Sequence, residues 1–194
     1  MNYLAHLSLS FKNDDLMLGN LVADFTRRAK FSDFSSAVQR GIQLHHFIDD
    51  YTDRHSLVEE AKALIRPQQG KFSGVVMDIY FDHLLARDYH FWHQESLADF
   101  AKNAYRLFNS RIDELPEATV HMLHYMERGN WLLNYASLEG LQRSLKGMSN
   151  RTKYPNNMAQ AADQLQILEG QIRPLFSAFY KELLAAVKAW IAKN

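Results

Sequence analysis

Apolar residues recur along this chain at the spacing of amphipathic helices, about 3.6 residues per turn. Polar residues suited to capping precede several of these runs, among them Asn13 and either Ser35 or Ser36. We find no sustained strand alternation in the sequence. The pattern therefore predicts an all-α fold, a single-domain helical bundle over residues 1–194. We expect Pro67 and Gly147 to end two of the helices.

The stretch Ser35–His55 places a histidine and an aspartate inside its predicted apolar stripe. At the helical period, His45 and Asp49 lie one turn apart on the inward face, whereas His46 and Asp50 fall on the other side. Burying a carboxylate without a partner is costly. The inward pair is therefore a metal site, a catalytic site or a structural pair that ties two helices together.

A second predicted helix, Ser73–Tyr89, is apolar almost all round and should be central. It carries Asp78 and Asp82 one turn apart within an apolar stripe. Two helices with such acids bring like charges together, which raises carboxylate pKa values unless a cation neutralises them. Carboxylate oxygens and a neutral imidazole are suitable ligands for a divalent metal ion, and we therefore predict a metal site.

Three polar features near the N-terminus are candidates for the same site. Asp24 ends an apolar run, so it either lines the site or pairs with Arg27 or Arg28. These arginines and Lys30 directly follow Asp24, and they form either a rim to the site or ordinary solvated surface. His6 lies among leucines, where it is either a ligand, a neighbour of a ligand or a core residue with its hydrogen bonds satisfied.

Composition excludes several classes of protein. The chain has 47% hydrophobic residues, and its 22 basic and 22 acidic residues leave no net charge. It therefore lacks the global positive field that favours nucleic acid. It has no cysteine for disulfides or thiolate zinc sites. It has no signal-peptide pattern and no apolar run of the ~18 residues that a membrane helix needs, so we expect a soluble cytoplasmic protein without a membrane partner.

Several of these segments together resemble the acyl carrier protein phosphodiesterase family. They appear in order from the N-terminus onward, as NYLAHL, GNLVADF (Gly19–Phe25), GIQLHHFIDDYTD (Gly41–Asp53), DIYFDHLLA (Asp78–Ala86), WLLNY from Trp131 and GMSNR (Gly147–Arg151). The resemblance implies an all-helical fold distantly related to the HD-type metal phosphohydrolases. The adjacent His-Asp dipeptide of that group is replaced here by His45-x-x-x-Asp49.

The resemblance also implies an activity. Family members remove the 4′-phosphopantetheine arm from holo acyl carrier protein with a divalent cation, typically manganese. The positions that match the family's functional residues are His6, Asp24, His45, Asp49, Asp53, Asp78, Asp82 and His83.

We assign roles to these residues as hypotheses. The expected metal ligands are Asp24, His45, Asp49 and Asp78, a donor set that suits Mn²⁺ or Mg²⁺. Asp82 is a further ligand or the group that orients water, and His83 or His6 protonates the leaving serine oxygen. The substrate-binding candidates are Arg27, Arg28 and Lys30, which would meet an acidic carrier protein, together with Asp53.

Two other functions fit the same residues. An HD-like phosphohydrolase acting on a nucleotide or another small phosphodiester would share the metal site without needing a carrier-protein surface. A non-catalytic helical binding module would keep the His/Asp pairs as structural contacts only. Metal analysis separates the binding module from both enzymes.

Overall fold

The computed structural model describes residues 1–26 and 30–194, which form helices and contain no strand. This confirms the predicted all-α class. The α-helices are α1 (Tyr3–Ser8), α2 (Asp14–Val22), α3 (Ser36–Arg54), α4 (Ser56–Gln69), α5 (Ser73–Arg87), α6 (Tyr89–Trp92), α7 (Leu97–Ser110), α8 (Glu117–Arg128), α9 (Trp131–Asn134), α10 (Leu138–Arg151) and α11 (Ala161–Lys193). Short 3-10 turns occupy Ala23–Phe25, Phe31–Asp33, Gly70–Phe72, Ile112–Glu114 and Met158–Gln160. None of the helices described is both long and apolar enough to span a bilayer.

The predicted helix starts are confirmed where a polar side chain caps the first turn. The Asn13 side chain accepts a hydrogen bond from the Leu16 N–H, and Ser35 accepts one from Val38. Each cap satisfies a backbone donor that has no partner within the helix.

Two predicted helix ends are wrong. Pro67 lies inside α4, which continues to Gln69, and Gly147 lies inside α10, which continues to Arg151. Proline in the last turn removes a single backbone hydrogen bond, and glycine in a helix costs only about 1 kcal/mol relative to alanine. Packing of the neighbouring turns is sufficient to outweigh both penalties.

The core is built around α5, which is buried along most of its length and packs against α1, α4, α10 and α11. Phe81 of α5 lies among the rings of Phe176 and Phe179 on α11, with ring centroids 5.2 and 5.6 Å away. As predicted from its apolar surface, this helix is central.

Helices α2 and α3 approach each other closely at two glycines. A Cβ atom on Gly19 would lie 2.5 Å from the Gly41 Cα, and one on Gly41 would lie 2.6 Å from the Leu16 carbonyl oxygen. Neither position accepts a side chain without moving a backbone. This contact places the C-terminal end of α2 beside the middle of α3, where His45 lies.

Candidate functional site

Side chains from α1, α3 and the turn after α2 converge at one cavity of about 270 Å³. The histidines are buried, whereas the carboxylates are partly exposed, at 43% for the Asp49 side chain and 59% for Asp24. The lining residues are Met1, Asn2, Tyr3, His6, Asn20, Asp24, His45, Asp49, Asp53 and Asp78. Polar groups therefore meet at a place that solvent and a ligand can reach.

Asp49 links the two histidines of this cavity. Its Oδ1 lies 3.0 Å from His6 Nε2, and its Oδ2 lies 3.2 Å from His45 Nε2. The two imidazole rings stack, with centroids 4.0 Å apart and planes 16° from parallel. Asp24 Oδ1 lies 3.6 Å from His45 Nε2 on the other side. We call His6, His45 and Asp49 the cluster.

A backbone contact fixes the orientation of His45. Its Nδ1 lies 3.2 Å from the carbonyl oxygen of Asn20, which can only accept, so Nδ1 carries the proton and donates. The other nitrogen, Nε2, then faces the cavity and the carboxylates of Asp24 and Asp49. Histidine ligands of metal sites are commonly held in this way.

The charges within the cluster are unequal. Burial lowers the pKa of His6 to about 4 despite its hydrogen bond to Asp49. Burial also opposes protonation of His45, but hydrogen bonds to Asp24 and Asp49 outweigh it and raise its pKa to about 9. For Asp49, hydrogen bonds from both imidazoles outweigh burial and hold the pKa below its usual range. Without a metal, a cationic His45 therefore neutralises part of the carboxylate charge.

The donor set of the cluster fits a divalent cation. One ligand atom from each of its three residues lies within 4.8 Å of the other two. Two imidazole nitrogens and a carboxylate oxygen are ligand types that suit Mn²⁺, and the partly exposed Asp24 offers a further oxygen beside them. A cation would take the place of the proton now shared between His45 and the carboxylates.

The predicted orientation of α3 is confirmed. His45 is 6% exposed and Asp49 is half-buried, whereas His46 and Asp50 are exposed. Asp50 makes only a surface contact with Arg54, at 3.4 Å.

The acids of α5 do not join the cluster. Asp82 is fully buried and accepts hydrogen bonds from the backbone N–H groups of Asn2, Leu4 and Ala5, at 3.2, 2.7 and 3.4 Å. Burial raises its pKa to about 7, although these donors oppose the shift. Asp78 lines the cavity, but its Oδ1 lies 2.9 Å from the Met1 amino nitrogen.

His83 lies on another side of α5 and is 1% exposed. Its Nδ1 donates a hydrogen bond of 2.7 Å to the Tyr135 carbonyl oxygen, and its Nε2 is buried without a partner among the described residues. Burial lowers the pKa of this imidazole, so it is neutral at physiological pH. The structure thus places His83 beneath the segment that follows α9, away from the cluster.

The remaining predicted site residues lie at the periphery or outside the described ranges. Asp53 is exposed and lines the same cavity as the cluster. Lys30 is exposed, and its backbone N–H donates to Asp33 at 3.3 Å. Arg27 and Arg28 lie outside the residues that the structure describes.

The sequence pattern did not indicate a second cavity, of about 370 Å³, between α1, α9 and α10. It shares Asn2, Tyr3 and Asp24 with the first cavity, so the two adjoin. Trp131 and Arg151 line it, and both lie in motifs that carry the family resemblance. Their place in these motifs is the signal that could have indicated the cavity. However, no local sequence pattern connects these residues with His6.

Comparison with known proteins gives a consistent result. Residues 1–183 match the family model of the acyl carrier protein phosphodiesterases. The protein of that name from Klebsiella pneumoniae subsp. pneumoniae is 30% identical over 188 residues, covering 95% of this chain and 96% of that protein. The one from Yersinia pestis is 31% identical over 191 residues, covering 95% and 96%. No solved structure matches the chain, so the HD-like relation stays a prediction.

Proposed function

Because the chain belongs to the acyl carrier protein phosphodiesterase family, we propose that it hydrolyses a phosphodiester of holo acyl carrier protein. The bond is the one that joins the 4′-phosphopantetheine arm to a serine, and the products are the free arm and apo carrier protein. The observation that carries this proposal is the cluster, in which Asp49 joins two imidazoles at a cavity open to solvent.

We assign His6, His45 and Asp49 as the residues that hold a divalent cation, with Asp24 beside them. Mn²⁺ is our first choice and Mg²⁺ our second, since the donors are nitrogen and hard oxygen without thiolate. When bound, such a cation supplies charge neutralisation at the phosphate and makes water acidic enough to act near neutral pH. This assignment moves His6 from the proton-transfer role expected from the sequence to that of a ligand.

The protein's own groups hold this arrangement in place. The Asn20 carbonyl keeps the proton of His45 on Nδ1, so Nε2 is free to face the cavity. Asp82 caps the start of α1 and thereby positions His6, which lies one turn further along that helix. We therefore propose Asp82 and His83 as positioning residues, because Asp82 accepts from backbone N–H groups, His83 Nδ1 donates to a backbone carbonyl, and neither residue lines the cavity of the cluster.

To act on a carrier protein, this chain requires a surface that recognises the carrier as well as a reaction site. Carrier proteins are acidic and this chain has no net charge, so attraction depends on local basic residues. We keep Arg27, Arg28 and Lys30 as the proposed contacts, and Lys30 is exposed as that role requires. Contacts of this kind act mainly on association rate, so cleavage of holo carrier protein should weaken with salt more than cleavage of a small diester.

The direct test is incubation of holo acyl carrier protein with the purified protein, with Mn²⁺ or with chelator. Mass spectrometry of the carrier should show loss of the arm with Mn²⁺ only, and 4′-phosphopantetheine should appear in solution. An unchanged carrier in the presence of Mn²⁺ would contradict the proposal. Cleavage of small diesters alone would favour the phosphohydrolase alternative, and absence of bound metal and turnover would favour the binding module.

A further inference from the structure

The second cavity has the size and position of a ligand site. Its volume of about 370 Å³ falls within the ~300–1,000 Å³ typical of small-molecule pockets. It adjoins the cavity of the cluster through Asn2, Tyr3 and Asp24. A molecule whose phosphate lies at the cluster can therefore extend past Tyr3 into this space.

The lining of this cavity suits an elongated, mostly uncharged chain. Ile79, Trp131 and Met148 supply apolar surface, and the ring centroids of Tyr3 and Trp131, which both line this cavity, lie 6.4 Å apart. Ser144 and Asn134 add polar side chains, and Asp24, Arg143 and Arg151 add charged ones. A wall that is mainly apolar and carries some polar and charged groups is the usual composition of a small-molecule site.

The wall formed by α9 and its flanking turns is held by buried hydrogen bonds. The Tyr105 hydroxyl donates to the Met126 carbonyl at 3.1 Å and accepts from the Leu132 N–H at 3.2 Å. His83 donates to the Tyr135 carbonyl from beneath. A wall fixed in this way does not have to be ordered when a ligand binds, which favours affinity.

We infer that this second cavity binds the pantetheine arm of the substrate. The inference rests on the proposed function and assigns an arm site next to the reaction site. A phosphodiester at the cluster carries a folded protein on one side and the arm on the other. A cavity of about 370 Å³ cannot admit a protein domain, so the arm is the part of the substrate that fits it.

Gly147 provides a test that does not disturb the fold. It lines this cavity, and a Cβ atom there would meet nothing within 4 Å. Gly147→Leu therefore adds a side chain at the cavity wall without a clash at Cβ, and leucine favours a helix over glycine by about 0.5–1 kcal/mol. Gly170 in α11 is equally open and lies outside the cavity, so Gly170→Leu is the matched control.

Two measurements are needed, because calorimetry reports binding of the arm and steady-state assays report its removal from the carrier protein. In calorimetry, 4′-phosphopantetheine should bind the wild-type protein and Gly170→Leu, and at least tenfold more weakly to Gly147→Leu. In steady-state assays with Mn²⁺, kcat/KM for holo carrier protein should fall at least tenfold in Gly147→Leu only. Hydrolysis of a small aryl phosphodiester, which does not enter the second cavity, should be unchanged in both variants. Ser144→Phe, which fills the cavity from the same helix, should behave as Gly147→Leu does.

Equal binding and turnover in Gly147→Leu and the wild-type protein would overturn the inference. An equal loss on the small diester would also overturn it, because the variant would then be acting on the reaction site. If the wild-type protein binds 4′-phosphopantetheine through this cavity but does not cleave holo carrier protein, the proposed function fails and the arm site stands.

Discussion

Two helices of this protein each carry a histidine and an aspartate in an apolar environment, and they use them differently. On α3, His45 and Asp49 contact each other and His6 at the wall of a cavity. On α5, Asp82 and His83 are both buried, and each of them binds backbone groups.

The partners distinguish the two cases. Asp82 accepts from the N–H groups of Asn2, Leu4 and Ala5 at the start of α1, so its hydrogen-bonding capacity serves the fold. Asp49 pairs instead with the imidazoles of His6 and His45, titratable side chains whose proton a metal ion can replace. We therefore expect a buried acid paired with backbone donors to be structural, and one paired with imidazoles at a cavity to be a candidate for chemistry. The two regions are also linked, because α1, which Asp82 caps, carries His6.

The largest effect should follow from Asp49→Asn. An amide of the same shape cannot supply the charge that a cation needs, so kcat/KM for holo carrier protein should fall by ~10³, about 4 kcal/mol of transition-state stabilisation. His46→Ala, one turn from Asp50 on the exposed face, is the control and should keep most of the activity. Inactivation by His46→Ala with activity retained in Asp49→Asn would reverse the roles assigned to the two faces of α3.

Removal of Asp82 should instead destabilise the fold. Asp82→Ala leaves three backbone N–H groups without this acceptor, two of them buried and that of Asn2 partly buried, and a buried group in that state costs about 1–3 kcal/mol unless water reaches it. We expect a loss of about 3 kcal/mol in unfolding free energy, measured by denaturant titration. Asp50→Ala is the exposed control, with an expected change within ~0.5 kcal/mol. Lost turnover with unchanged stability would mean that Asp82 takes part in the reaction itself.

The sequence pattern was sufficient to predict those features of the molecule that depend on local spacing. It predicted a cap at Asn13, a cap at Ser35 or Ser36 and the inward face of α3, because these depend on residues within a few turns. It did not separate Asp82 from Asp49, since both are acids within apolar stripes. The donors that satisfy Asp82 lie about 80 positions earlier in the chain, on backbone atoms that carry no sequence signal.

The sequence pattern gave two wrong helix ends and did not predict the second cavity, and the reason is the same. Both depend on packing between segments that are distant in the chain. Pro67 and Gly147 are poor helix residues, but tertiary packing outweighs their penalties of a few kcal/mol or less. The cavity brings α1 beside α10, two segments that are distant in sequence and share no periodicity.

Metal binding should stabilise the protein through ligands on α3 and not through residues of α5. Because the ion binds only the folded state, free Mn²⁺ at ~100 times its Kd adds about 2.7 kcal/mol. Thermal unfolding should shift upward with Mn²⁺ relative to chelator in the wild-type protein and in His83→Phe, but not in Asp49→Asn. A shift of equal size in Asp49→Asn would place the ion elsewhere.

The smallest effect should be the pH dependence of the His83 contact. His83→Phe removes the donor to the buried Tyr135 carbonyl, which should cost about 1–2 kcal/mol of unfolding free energy at pH 8. Burial holds the folded pKa of His83 below its ordinary value near 6.5, so the unfolded chain takes up a proton first as pH falls. The stability that His83 contributes is then fully present above that value and is lost as pH falls below it.

The stability difference between the wild-type protein and His83→Phe should therefore be smaller at pH 5 than at pH 8. Urea titrations at both pH values, with chelator present to exclude metal effects, measure this difference. His46→Phe, at an exposed position, controls for the loss of a histidine as such. A difference that does not change with pH would mean that His83 is not held neutral by burial. A large loss of kcat in His83→Phe at both pH values, with saturating Mn²⁺ and an intact fold, would instead assign His83 to the reaction. The contrast between a catalytic α3 and a structural α5 would then not hold.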